Sequence, residues 1–164
     1  MNSTPHDLRI GHGYDIHRLQ QGGKLILASI EVASDISPIA HSDGDVVLHA
    51  VVDALLGAIG KGDIGEMFPN SDARWKAASS RIFVEAAMRQ VASMGFDVAN
   101  VDITILAERP KLKAFKSKMA DRLEKMLGGA VNIKAGTNEA CDAIGRGEAI
   151  AAHAVALLVR KGSK

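Results

Sequence analysis

Hydrophobic and polar positions along the chain change period several times, and each change predicts an element. Residues 8–17 read as a strand with a thin apolar content. Its core, "GHGYDIH" at 11–17, holds two glycines, two histidines and an aspartate where a packed strand would carry Val and Ile. "KLILASIEVA" at 24–33 is apolar and β-branched enough for one or two strands. From Asp43 the period becomes helical. Val47, Val51, Ala54, Leu55 and Ala58 fall on one stripe, with Asp43 or Asp45 as N-cap. Residues 61–78 are loop-like, with Gly62, Gly65 and Pro69. Residues 79–95 predict a helix capped by serine and stopped by Gly95. Residues 97–108 alternate as a strand. Residues 112–127 predict a helix burying Phe115, Met119, Leu123 and Met126, and 130–137 predict a further strand. The last segment, "EAIAAHAVALLV", is undecided: its alanines favour helix and its closing alternation favours strand. Interleaved strands and helices imply an α+β or α/β single-domain sandwich over residues 8–160, with residues 1–7 as a flexible tail.

Composition narrows the functional classes. The 164 residues suit one domain, and 47% hydrophobic with 24% charged residues is globular composition. A net charge of +1 argues against a broad electrostatic grip on nucleic acid or a membrane surface. No apolar run approaches the ~20 residues of a bilayer span. "MNSTPHDLR" lacks the apolar core of a secretory signal, and the single cysteine, Cys141, forms no internal disulfide, so a cytoplasmic protein is expected.

The thin strand gains a purpose if it is chemical. On a strand, Asp15 and His17 point to the same face, roughly 7 Å apart. His49, near the start of the first predicted helix, is the best candidate for a third ligand. Asp53 stands one turn on and is placed to hold the free ring nitrogen of His49. One aspartate and two histidines make a mixed oxygen and nitrogen site suited to zinc, with a fourth position open.

Four stretches in order, "RIGHGYDIH" at 9–17, "AHSDGDVVLHAVVDALLGAIGKGDIGEMFPNSD" at 40–72, "NVDITILAERPKL" at 100–112 and "NIKAGTNEACDAIGRGEAIAAHAVALL" at 132–158, closely resemble the 2-C-methyl-D-erythritol 2,4-cyclodiphosphate synthases of non-mevalonate isoprenoid synthesis. The resemblance covers nearly the whole chain. It implies zinc, or another divalent transition metal, on Asp15, His17 and His49, and magnesium or manganese on Glu139. The implied substrate is 4-diphosphocytidyl-2-C-methyl-D-erythritol 2-phosphate. Its 2-phosphate attacks the β-phosphorus, expels CMP and closes the cyclic diphosphate. His41 and Ser42 match residues at the 2-phosphate and erythritol end. Asp63 matches the residue that takes the ribose hydroxyls, and Gly65 to Phe68, with Asp72 beyond, frame the substrate. Ala107, Pro110, Lys111 and Leu112 correspond to the loop around cytosine. Ala135, Gly136 and Thr137 lie where the nucleotide phosphates bind, and His41 and Thr137 take catalytic places. Lys134 only flanks that strand.

The resemblance further implies a homotrimer with active sites between subunits and one mixed sheet of about four to five strands, covered by helices on one side. It also makes 148–159 a strand. Arg146 and His153 correspond to positions near the central threefold cavity, and Arg146 counts among the implied substrate contacts. The chain departs from the family at Gly136, where a hydroxyl residue is usual, at Asn70, at Cys141, Asp142 and Ala143, at the Ala28–Ser29 pair in place of glycines, and at His153 in place of an acid. The departures at Gly136 and Asp142 leave open a related metal-dependent hydrolase of another nucleoside diphosphate ester. A non-catalytic binder of isoprenoid phosphates is the other alternative.

Overall fold

The computed structural model describes residues 8–33, 35–69 and 71–162. The expected tail at 1–7 and the departure at Asn70 lie outside the described residues. Strands are β1 (Leu8–Gln21), β2 (Leu25–Leu27), β3 (Ile30–Ala33), β4 (Ile36–Pro38), β5 (Phe96–Leu106), β6 (Ala130–Gly136) and β7 (Ala149–Arg160). Helices are α1 (Val46–Ala58), α2 (Ile64–Met67), α3 (Arg81–Ser93), α4 (Lys116–Leu127) and α5 (Asp142–Gly145), with a 3-10 turn at Ala73–Trp75. A mixed five-stranded sheet runs β4-β1-β7-β5-β6, parallel only between β5 and β6. The pair β2-β3 stands apart as a small hairpin.

The C-terminal segment is a strand, and a central one, paired with β1 on one side and β5 on the other. Its alanines serve packing. Ala152, Ala154 and Ala156 are fully buried on the face toward α1, where small side chains let a helix lie close. The same logic explains the glycines of β1. A Cβ on Gly11 would stand 1.9 Å from the Ala54 carbonyl oxygen, and one on Gly13 would stand 1.9 Å from that of Ala50. Helix α1 therefore rests on bare β1 backbone.

Several expectations need correction. Strand β1 runs on past residue 17 to pair with β4, a three-residue edge strand the sequence reading missed. Of the two N-cap candidates for α1 the structure takes Asp45, which accepts from Leu48 N–H at 3.2 Å, as expected. Its carboxylate also accepts from Ala28 N–H at 2.9 Å and Ser29 N–H at 2.7 Å. Burial pushes this carboxyl up to about 6 against the pull of those three donors. Ala28 and Ser29, the β2–β3 turn, both have positive φ, 50° and 60°, the pattern of a tight primed hairpin turn. Helix α4 begins at Lys116 rather than residue 112, and Leu127 rather than Met126 completes its buried stripe. The loop 61–78 contains α2 and the 3-10 turn. The large helices cover one face of the sheet. The short α5 was not expected, and its Ile144 packs with Ala149 and Ala151 on the opposite face.

Candidate active site

Strand alternation sorts β1 into two faces. Gly11, Gly13, Asp15 and His17 face the helices, while Ile10, His12, Tyr14 and Ile16 are exposed on the open face. Because α1 lies against the two glycines, its first turns bring His49 over the following ligand positions. Asp15 Oδ2 is 2.8 Å from His49 Nδ1 and 3.0 Å from His17 Nε2, and the two nitrogens are 3.2 Å apart. Ligand atoms in a tetrahedral zinc shell with bonds of about 2.0–2.2 Å stand roughly 3.3–3.6 Å from one another. The donor set thus fits one divalent ion, which would spread the three atoms by a few tenths of an ångström from their hydrogen-bonded spacing. Among the described residues this is the one group of three or more acidic, histidine or cysteine side chains arranged to hold a metal.

Electrostatics follow from the same contacts. Burial works against ionising Asp15, but His17 and His49 outweigh it and hold the carboxyl far below its usual range. Burial likewise opposes protonating His49, yet the Asp15 hydrogen bond and the charges of Asp15, Asp45 and Asp43 raise it above its ordinary value. A metal ion would have to compete with the proton that His49 prefers here.

The expected partner for the other His49 nitrogen is wrong. Asp53 accepts from Ile64 N–H at 2.8 Å, fixing the start of α2. His49 Nε2 instead meets Ser80 Oγ at 2.8 Å and Ser42 Oγ at 3.1 Å. Ser80 precedes α3 as expected but makes no side-chain cap. The serines at 79–80 predict a cap for this helix, and nothing in the local pattern marks Ser80 as a partner of His49.

The expected site residues divide between two clefts. A cavity of about 340 Å³ is lined by the triad with His41, Ser42, Gly65 and Phe68, and by Trp75 and Phe83, which the sequence reading did not single out. Phe68, Trp75 and Phe83 are in mutual ring contact on its wall. Two buried ring nitrogens of its lining residues, His41 Nε2 and Trp75 Nε1, have no hydrogen-bond partner among the described residues. Asp63 caps α2 beside this cleft, accepting from Glu66 N–H at 2.9 Å. A second cavity of about 400 Å³ is lined by Ala107, Pro110, Lys111, Leu112, Ala135, Gly136 and Thr137, with Lys113 and Lys116. No residue lines both.

Four expected residues line neither cleft: Asp63, beside the first, and three more. Glu139, at φ 50°, accepts from Thr137 Oγ1 at 2.9 Å, at the edge of the second cleft. Asp72 caps the 3-10 turn and pairs with Arg74 at 2.5 Å. Arg146 pairs with Glu148 at 3.0 Å. Lys134 is turned onto Asp102 at 2.5 Å, consistent with a flanking position.

A mixed sheet roofed by helices, with an Asp-His-His cluster that could hold a metal beneath the first of them, defines the class as an α+β domain. The chain belongs to the YgbB family, whose model matches residues 8–159. It is 47% identical over 160 residues to the 2-C-methyl-D-erythritol 2,4-cyclodiphosphate synthase of Desulfosudis oleivorans, covering 96% of this chain and 95% of that one. Among solved structures, the bifunctional IspDF of Campylobacter jejuni superposes with a TM-score of 0.90 at 37% identity, over 93% of this chain and 42% of that one. A Plasmodium falciparum IspF in complex with CDP matches with a TM-score of 0.84 at 31% identity, over 97% of this chain and all of that one.

Proposed function

We propose that this chain is a 2-C-methyl-D-erythritol 2,4-cyclodiphosphate synthase, converting 4-diphosphocytidyl-2-C-methyl-D-erythritol 2-phosphate to the cyclic diphosphate with release of CMP. The observation that carries the reading is the convergence of Asp15, His17 and His49 on one point of a cleft whose lining residues include two unpartnered buried ring nitrogens. The reaction forms a bond from a 2-phosphate oxygen to the β-phosphorus and breaks the bond from that phosphorus to CMP. It needs no protein nucleophile, only neutralised charge and two phosphates held together. Zinc, or another divalent transition metal on the triad, would supply positive charge that polarises a β-phosphate oxygen.

The chain's own groups do the holding. The His41 ring and the Ser42 hydroxyl stand at the erythritol end of the cleft and offer hydrogen bonds to phosphate oxygens there. Phe68, Trp75 and Phe83 keep water from that wall. Asp63 has a second carboxylate oxygen for a ribose hydroxyl. Across the second cleft, Ala107, Pro110 and Leu112 enclose cytosine, while Lys111, Lys113, Lys116, Gly136 and Thr137 meet the nucleotide phosphates. Glu139 would hold magnesium or manganese, whose charge would offset the repulsion between a carboxylate and a diphosphate.

One chain does not complete this site. Strands β1 and β6 are separated by β7 and β5, so they stand about 14 Å apart across the sheet. A phosphate held by the triad does not also reach the Thr137 cleft of the same chain. We therefore place the working site between copies, in a homotrimer. Exposed Ile10, Tyr14, Ile16 and Val155 on the open sheet face support assembly. The free thiol of Cys141 suits a reducing compartment such as the cytoplasm. Among the described residues no helix is long and apolar enough to cross a membrane.

The test is incubation with the cytidyl substrate and both metals, followed by phosphorus NMR. CMP with the cyclic diphosphate is expected. CMP with an open-chain product would make the protein a hydrolase, and no turnover would leave it a binder.

A further inference from the structure

The sheet carries a second histidine pair, on the face turned away from the triad. His12 and Tyr14 are exposed on the open face of β1. Tyr14 stands directly opposite His153 of β7, which therefore shares that face, and His12 stands opposite Val155. The two histidines are thus diagonal neighbours across the ladder, within reach of one another for ring side chains. His12 Nε2 lies 3.1 Å from His153 Nδ1. The Tyr14 ring packs on His153, with centroids 4.7 Å apart. The reaction proposed above uses none of these side chains.

Two ring nitrogens at this separation stand where neighbouring ligands of one ion stand. With metal–nitrogen bonds of about 2.0–2.1 Å, it corresponds to an angle of roughly 95–100° at the metal, between the square and the tetrahedral values. The spacing is held by the backbone. Strand β1 pairs with β7 without a break from Leu8 to Arg18, and β7 is pinned on its other side by β5. His12 is exposed, so its ring can turn its Nε2 lone pair toward an ion and keep a proton on its other nitrogen, toward water. The same two rows of the sheet carry Asp102, opposite Val155, and Lys134, opposite Thr104. These two pair with each other, so neither sets a bare charge against the histidines.

We propose that His12 and His153 form a second metal site, a two-nitrogen chelate for a divalent transition ion such as zinc, with water in the remaining positions. Imidazole nitrogen suits zinc, copper and nickel, whereas magnesium and calcium take oxygen. Two ligands per chain, against three in the triad, make this the weaker site. The ion takes the place of the single proton between the two rings and ties β1 to β7 on the open face. The proposal does not depend on the triad, since the two sites share no residue and lie on opposite faces of the sheet.

The test is a zinc titration of the metal-free protein by calorimetry, with the histidine ring resonances followed by NMR. About two zinc ions per chain are expected, one tight and one weaker. The weaker one should shift His12 and His153 and leave His17 and His49 as the first ion set them. His153→Gln and His12→Gln keep a polar side chain on the open face, away from the core. Each is expected to lose the weaker zinc and keep the tight one. His49→Ala should do the reverse, so the two metal sites stand or fall separately. Retention of the weaker zinc in both folded glutamine variants would make it an adventitious ion only and overturn the proposal. So would His12 and His153 resonances in the wild type that do not respond to zinc in excess over both sites.

Discussion

At the scale of single residues, the site is a competition between protons and a cation for three donor atoms within 3.2 Å of one another. His49 has a raised pKa in the metal-free protein. Such a group contributes stability that is fully present below its unfolded value, about 6.5, and lost as pH rises through the folded value. Asp15, held low, contributes stability above its unfolded value and loses it only as pH falls through the folded one. Between those limits the metal-free protein is best served near mild acidity. Zinc on the triad would reverse the preference, because it needs the ligating nitrogen of each histidine deprotonated. The increase in Tm on adding zinc should therefore be larger at about pH 8 than at about pH 6. An equal or larger increase at the lower pH would count against histidine ligation. Acidification should release zinc before the fold is lost.

At the scale of elements, the contact that matters is α1 on β1. Gly13 has no space for a side chain beneath the Ala50 carbonyl, so Gly13→Ala must push the helix off the strand that carries Asp15 and His17. Overpacking of this kind costs about 1–3 kcal/mol, which lowers Tm by roughly 2–4 °C per kcal/mol in a chain of this size. The larger consequence is at the metal, since His49 moves with α1. Zinc affinity should fall more steeply than stability, and calorimetry beside a chelator titration would show it; a stability loss with unchanged zinc affinity would refute this coupling.

The elements also show what the sequence made legible. Long periodic stretches such as 81–93 and 97–106 announced themselves, because burial alone dictates their period. The convergence of Asp15 and His17 on one face of β1 was readable from their spacing of two. The glycines beside it were not, since their reason lies in a helix more than thirty residues away. Ala152, Ala154 and Ala156 pointed to helix by propensity and became strand through packing against α1. Ser80 looked like a cap because capping is local, whereas its real partners, Asp43 and His49, are brought to it only by the tertiary fold.

At the scale of the whole molecule, the central claim is that two clefts on separate parts of one chain become one site when copies meet. The triad cleft and the Thr137 cleft share no lining residue, so each can be disabled without touching the other. His49→Ala removes the first, and Thr137→Ala with Glu139→Gln removes the second. Neither variant alone should turn over substrate. Unfolded, mixed equally and refolded, about three quarters of the trimers contain both chains, and head-to-tail closure gives each of these one undamaged site of three. About a quarter of wild-type activity should then return, in material that elutes as a trimer. No recovery from a mixture shown by mass to contain mixed trimers would mean that each chain builds its own site, and would contradict the account.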